Sequence, residues 1–239
     1  MNIVVIGDQH KDITNLKNIL NYCYNNDLAD VFIQVGDLGL TDDFEEFLDE
    51  LNWELKVQAK DFYFIDGNHD NQTYLRSKVK YPFQPVAIRS HIYYIPRGSL
   101  LTFGKKTFFC IGGGYSVNHR ALEIGKSYWK EETITKSEVD FIRSHYNDSI
   151  IANYIISHDT TNYFDKKLSK IPKFIYKLFH KKDIKHKDNL TDLFNIVSAK
   201  TIIHGHYHKR LIQQKNNKTN ISLGQNGQSI KDQILQIKA

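Results

Sequence analysis

The stretch Asn2-Ile3-Val4-Val5-Ile6-Gly7-Asp8-Gln9-His10 sets the architecture. Its short apolar run ends in Gly-Asp, which reads as a buried strand running into a loop. Beyond it, Ile13, Leu16, Ile19, Leu20 and Cys23 recur at helical spacing over Ile13–Tyr24, with Asp12 as N-cap. Val31–Val35 is a second strand ending in Gly36-Asp37. Phe44–Val57 repeats the helical pattern, and Asp61–Ile65 is a third strand ending in Asp66-Gly67-Asn68-His69-Asp70. The order βαβαβ predicts parallel strands with right-handed crossovers.

The middle changes character. Ile92–Ile95, Leu100–Phe103 and Thr107–Ile111 read as short strands, the last two joined by a turn at Gly104-Lys105-Lys106. Gly112-Gly113-Gly114 opens a long loop. Thr135-Lys136-Ser137-Glu138 is a capping box before a helix over Val139–Tyr146. Ile150–Ile156 reads as a strand ending in Ser157-His158-Asp159, Asn189–Ala199 as a helix, and Thr201–His204 as a strand ending in Gly205-His206-Tyr207-His208. The tail reads as a meander with a turn at Asn216-Asn217. No repeat and no domain boundary interrupts residues 1–239, so one α/β domain is expected.

Composition narrows the class. Of the 239 residues 41% are hydrophobic and 25% charged, which argues against disorder. Two cysteines, Cys23 and Cys110, exclude a disulfide framework and a four-cysteine zinc site. The start has no basic n-region, and no run approaches the roughly 20 apolar residues of a membrane span. A cytoplasmic protein without membrane partners is the expectation. Nine lysines against three aspartates between Thr160 and Asp188 carry more than the whole net charge of +5. Within this Lys-rich insertion at about 160–188, Phe174, Ile175, Leu178 and Phe179 suggest a short amphipathic helix, or a contact with a partner or a second copy.

Chemistry gathers at the strand ends. Asp8 and His10, Asp37, Asn68, His158, and His206 and His208 each follow a predicted strand. In open α/β sheets the crevice beyond the carboxyl ends of strands is where ligands bind. Carboxylate, amide oxygen and imidazole together suit divalent ions such as Mn, Fe or Zn, with Ni and Mg as alternatives. Seven donors are too many for one ion and right for two. In Asp8-x-His10, alternation along an extended segment puts both side chains on one side, where they can share an ion. Two divalent ions against two carboxylates leave residual positive charge, which suits an anionic phosphate.

At these residues the chain resembles the calcineurin-like metallophosphoesterase superfamily, whose pattern is Asp-x-His, Gly-Asp, Gly-Asn-His-Asp/Glu, a lone His after a strand, and Gly-His-x-His. Every motif is filled between Asp8 and His208. The resemblance implies an α/β sandwich of two mixed β-sheets flanked by α-helices. It implies one metal held by Asp8, His10, Asp37 and His208 and another by Asp37, Asn68, His158 and His206, with Asp37 bridging. His69 would be catalytic without being a ligand, protonating the leaving alkoxide, and Asp70 would orient it or cap the next helix. Phosphate esters would be hydrolysed by a hydroxide that two metals activate. Pro96-Arg97-Gly98, Gly112-Gly113-Gly114-Tyr115-Ser116 and Lys130-Glu131-Glu132 are similar to a bacterial and phage branch of the family. Gly36-Asp37 is followed by Leu38-Gly39-Leu40 and not by the Asp-Arg-Gly of phosphoprotein phosphatases, which disfavours a protein phosphatase.

His119 and Arg120, beside the glycine cluster, are candidate contacts for substrate phosphate, whereas Arg97 reads as a surface ion pair. The Lys-rich segment leaves a ligand-bearing strand end, so it could arch over the site as a lid for a nucleotide or nucleic acid; the alternative is a solvated surface insertion. Phosphodiester substrates are favoured over monoesters, and a non-catalytic metal-binding scaffold on the same fold is the competing class.

Overall fold

The first strand, β1 (Asn2–Ile6), is apolar and buried from Ile3 onward because both of its faces are covered there. Ile3 and Val5 pack against the strands of a second sheet, while Val4 and Ile6 pack against helices. The computed structural model of the chain describes residues 1–165 and 180–238. The twelve strands in those residues form two six-stranded sheets. The first contains β1, β2 (Val31–Gln34), β3 (Asp61–Phe64), β4 (Val86–Ala87), β5 (Ile92–Tyr94) and β12 (Ile234–Lys238), in the order β12-β1-β2-β3-β5-β4. The four inner strands are parallel, and both edge strands run antiparallel to them. The second sheet contains β6 (Ser99–Phe103), β7 (Lys106–Ile111), β8 (Tyr154–Ser157), β9 (Thr201–His204), β10 (Leu211–Lys215) and β11 (Lys218–Ser222), in the order β10-β11-β9-β8-β7-β6. This is the two-sheet sandwich that the motifs implied.

Three apolar layers follow from the alternation of side chains along the strands. Ile3, Val5, Ile33, Phe108, Ile156 and Ile203 fill the space between the sheets. Helices α1 (Ile13–Asn25), α2 (Glu45–Gln58) and α3 (Gln72–Lys78) lie on the outside of the first sheet, with Leu16, Leu20, Leu48 and Leu55 against it. Helices α4 (Lys136–His145) and α6 (Lys181–Asn195) cover the second, with Val139, Ile142, Leu190 and Leu193. Two single-turn helices, α5 (Asn162–Asp165) and α7 (Ile230–Gln233), and two 3-10 turns (His119–Ala121 and Lys130–Glu132) complete the described elements. Asp12 caps α1 by accepting from Asn15 N, and Thr135 with Glu138 forms the expected capping box.

Four expectations need correction. The strand read from Ile150 begins at Tyr154, because the Asn153 side chain accepts from Thr107 N and only a bridge joins Ile150 to Val197. The helix read from Asn189 begins at Lys181, because its first two turns bury polar groups, Asp183, His186, Lys187 and Asn189, that apolar periodicity does not register. The tail is not one meander. A β10–β11 hairpin forms at Asn216-Asn217, but β12 leaves it to pair with β1 in the other sheet. Arg97 is not a surface residue. It is buried and donates to Asp66 Oδ2 from Nε at 3.0 Å and Nη2 at 2.6 Å, and its Nη2 reaches the carbonyls of Glu131 and Glu132. The amphipathic helix expected around Phe174–Phe179 lies outside the described residues.

Burial by itself would raise the Asp66 carboxyl, but the Arg97 guanidinium overrides it and holds the group below the usual carboxylate range. Removing one partner strands a buried charge. Asp66→Ala is therefore expected to cost about 3–5 kcal/mol in urea unfolding at neutral pH. Because the folded-state pKa is depressed, this contribution is present above the unfolded value of about 3.9 and fades as pH falls through the lower folded value. The gap between wild type and variant should therefore narrow as pH falls below the unfolded value.

Candidate metal centre

Both sheets deliver donors to one rim. Asp8, Asp37 and Asn68 follow β1, β2 and β3, while His158 follows β8, and His206 and His208 follow β9. One donor atom from each of Asp8, His10, Asp37 and His208 lies within 4.8 Å of the other three. His10 Nε2 and His208 Nε2 are 3.1 Å apart, and His208 Nε2 is 3.3 Å from Asp8 Oδ2. Beside this quartet, His158 Nε2 is 3.1 Å from Asn68 Oδ1 and 3.4 Å from Asp37 Oδ1. Asp37 thus faces both groups. The His206 ring lies 5.0 Å, centroid to centroid, from that of His158. Gly114 closes this side, and a Cβ there would come within 3.4 Å of Asn68, His158 and His206.

The residues fit a cation. Asp8 Oδ2 accepts from His206 N at 2.8 Å, and Asp37 Oδ1 from His69 N at 2.7 Å. The remaining oxygens, Asp8 Oδ1 and Asp37 Oδ2, are buried without a hydrogen-bond partner. Leaving buried carboxylate oxygens unpaired is costly. A divalent ion among them removes that penalty.

The backbone bends sharply to achieve this. His10, Asp37, His206 and His208 all have positive φ, at 46°, 56°, 67° and 53°. Asp8 and His10 therefore meet through a left-handed turn and not through the strand alternation expected from sequence. Such conformations cost free energy in side-chain-bearing residues and concentrate at functional sites. Glycines make the approach possible, since a Cβ at Gly67 would collide with the Asp37 carboxylate and one at Gly205 with that of Asp8.

Charge is distributed unevenly over the imidazoles. Burial works against protonation of His158, yet the Asp37 carboxylate beside it prevails and pushes its pKa up to about 10. Burial, joined by the charge of His158, holds His206 well below its ordinary value. Burial likewise lowers His10, against the pull of Asp37 and Asp8. For His208 the bond to Asp8 outweighs burial and raises it. The His158 ring is fixed by Nδ1, 2.9 Å from the carbonyl of Val35. That bond requires the proton on Nδ1 and leaves Nε2 for a cation.

His69 sits on the rim half-buried, its ring 5.5 Å from that of His10. Asp70 neither orients His69 nor caps α3. Its Oδ1 accepts from Gly39 N and Leu40 N, its Oδ2 accepts from Gly67 N, and the N-cap of α3 is Asn71. Asp70 instead ties the loop after Asp37 to the loop bearing Asn68. Burial, with the nearby Asp37 charge, raises its carboxyl to about 6 against those three amides. His119 lies with its ring 5.5 Å from Tyr115 and 5.6 Å from Tyr128, while Arg120 is exposed.

Sequence reasoning assigned no role to Ser116 and Glu132, or to the contacts of Asp159, Tyr207 and His186. Asn68 Nδ2 donates to Ser116 Oγ at 3.2 Å, and Glu132 receives both the hydroxyl and the backbone N–H of Ser116. Tyr207, between two histidine donors, donates its hydroxyl to Asp159 Oδ1 at 3.0 Å, and His186 of α6 lies 3.7 Å from Asp159 Oδ2. The only signal in the sequence was that both the Gly112–Ser116 and the Lys130–Glu132 stretches are similar to a bacterial and phage branch of the family.

A family model described as calcineurin-like phosphoesterase matches residues 1–210. No curated protein matches the sequence. Among solved structures, the chain is similar to the protein TT1561 of Thermus thermophilus, at 10% identity and a TM-score of 0.58, covering 94% of this chain and 89% of that one. It is also similar to GAP50, the anchor in the inner membrane complex of Plasmodium, at 12% identity and a TM-score of 0.53, covering 94% and 71%. No helix among the described residues is long and apolar enough to cross a membrane.

A cation that satisfies the orphaned oxygens should stabilise the fold, so Mn2+ at 100 times its Kd should add about 2.7 kcal/mol per bound ion over the chelated protein, read as a higher unfolding midpoint. An ion held at His158 Nε2 would also displace the proton there. Calorimetry in buffers of different ionisation enthalpy should then show proton release, and affinity should rise with pH toward about 10.

Proposed function

The chain belongs to the calcineurin-like phosphoesterase family and is a phosphoric-ester hydrolase, and we propose that the esters it cleaves are phosphodiesters of nucleotides or nucleic acid. The observation that carries the reading is Asp37, buried between the Asp8/His10/His208 group and the Asn68/His158 pair. We propose two divalent cations, manganese foremost, one held by Asp8, His10, Asp37 and His208 and the other by Asp37, Asn68, His158 and His206. Mixed oxygen and imidazole donors suit such an ion. When bound, the ions supply Lewis acidity toward the phosphoryl group and toward water.

The chain's own residues do the rest. His69 stands at the rim, tethered by its backbone N–H to Asp37, and its ring is proposed to deliver the proton to the leaving oxygen. Asp70 supports it indirectly, by holding the Asp37 and Asn68 loops together. His119 and Arg120 are proposed to meet the substrate's phosphate from the loop after Ser116. Preference for a polyanion rests on the Lys-rich segment. In its described part Lys181 and Lys185 are exposed on α6, while Lys187 is buried against Asp183 at 3.0 Å and Lys182 bonds Tyr128 and Lys130. This helix is docked beside the site and is not a solvated appendage.

The test is a panel of bis(p-nitrophenyl) phosphate, p-nitrophenyl phosphate, cyclic nucleotides, DNA and RNA, each with Mn2+ and with chelator. Diesters should turn over faster, and chelator should abolish all turnover. Two bound ions with no turnover of any ester would leave a scaffold and not an enzyme. His69→Ala should lower kcat by about 10²–10⁴-fold with metal content unchanged. Lys181→Glu with Lys185→Glu should flatten the salt dependence on nucleic acid and leave the small diester unaffected.

A further inference from the structure

Asn68 offers two chemically opposite ends, an oxygen that can hold a cation and an NH2 that repels one. Only the hydrogen bonds around it determine which end faces His158. Its Nδ2 lies 3.2 Å from Ser116 Oγ, on the side away from His158 Nε2, which is 3.1 Å from Oδ1. A hydroxyl can donate as well as accept, so Ser116 alone does not fix this choice. Glu132 does. Its Oε2 takes the Ser116 hydroxyl proton at 2.7 Å, and its Oε1 takes the Ser116 backbone N–H at 3.2 Å. With its one proton committed to Glu132, Ser116 Oγ can only accept from Asn68. Glu132 is fully buried, Ser116 nearly so, and Lys182 Nζ supplies a countercharge 4.0 Å from Oε1.

We propose that Glu132, acting through Ser116, is a positioning residue that sets the polarity of the Asn68 amide and so keeps Oδ1 directed at the cation site. This rests on the metal-centre reading above and adds a residue to it. A carboxylate is acceptor-only, and that property carries the effect. A glutamine at 132 would still accept the Ser116 N–H but would present NH2 to Oγ. The hydroxyl proton would then be free to turn toward Asn68 and favour its oxygen, flipping the amide and aiming NH2 at the cation.

The experiment is calorimetric titration of the metal-free protein with Mn2+ alone, alongside the thermal midpoint of each metal-free variant to confirm folding. Wild type should bind two ions. Glu132→Gln should leave one site intact and weaken the other about 10–100-fold, the range for groups that orient ligands. Ser116→Ala, which removes the acceptor for Nδ2, should weaken the same site. Asn68→Asp supplies the discriminating arm, because a carboxylate has no wrong end. There the committed Ser116 hydroxyl presents a lone pair to an anion, so adding Glu132→Gln, which frees that proton, should strengthen the second site relative to Asn68→Asp alone. A merely structural glutamate predicts no such reversal. Two unweakened ions in both Glu132→Gln and Ser116→Ala, or no reversal in the double variant, overturns the inference. Fewer than two ions in wild type overturns the metal-centre reading and the inference with it.

Discussion

Two buried carboxylates, Asp8 and Asp37, each keep one oxygen without a hydrogen-bond partner, and the architecture around them makes sense only as compensation for that charge. Each commits its other oxygen to a backbone N–H from a neighbouring ligand loop, His206 for Asp8 and His69 for Asp37. The donors on one loop are thereby positioned by the carboxylate of another. A cation satisfies the oxygens left over, and it takes the place of the proton that His158 otherwise carries beside Asp37.

The loops are held in place by ties that never touch the cation site themselves. Asp70 joins the loop after β2 to the loop after β3 through three amides. Asp66 and Arg97 join the end of β3 to the carbonyls of Glu131 and Glu132, and the backbone of Asp66 receives Gly113 N at 2.8 Å. This last bond brings Gly114 and Ser116 against Asn68. Asp159 accepts from the Tyr207 hydroxyl and so links the His158 loop to the loop of His206, with His186 of α6 beside it. Buried ion pairs of this kind are poor sources of net stability compared with apolar packing, but they specify geometry. Here they define distances between donors on different strands.

Helix α6 shows how a charged segment becomes part of a core. Asp183, His186, Lys187 and Asn189 lie on its inner face. Asn189 donates to the carbonyl of Ile134, His186 Nδ1 accepts from Ile134 N, and Lys187 pairs with Asp183. Burial, with the nearby cations Arg97 and Lys187, keeps His186 well below its ordinary value, consistent with a neutral ring accepting that bond. A face that is polar in sequence is buried because each polar group on it meets a partner.

The parallel core and the side chains that gather at the strand ends were legible in the order of residues alone. Unbroken apolar runs such as Ile3–Ile6 require cover on both faces, and a Gly-Asp or His motif after each run names the donors, since both signals are local. The capping box at Thr135 and the cap at Asp12 were legible for the same reason. How those donors meet was settled by folding. The bond from His10 N to the Asp37 carbonyl that holds their left-handed turns together, the return of β12 to β1, the burial of Arg97 and the Glu132–Ser116–Asn68 chain all join residues far apart in sequence. Their free energy comes from partners that no local pattern encodes, so they become visible only when the chain is folded.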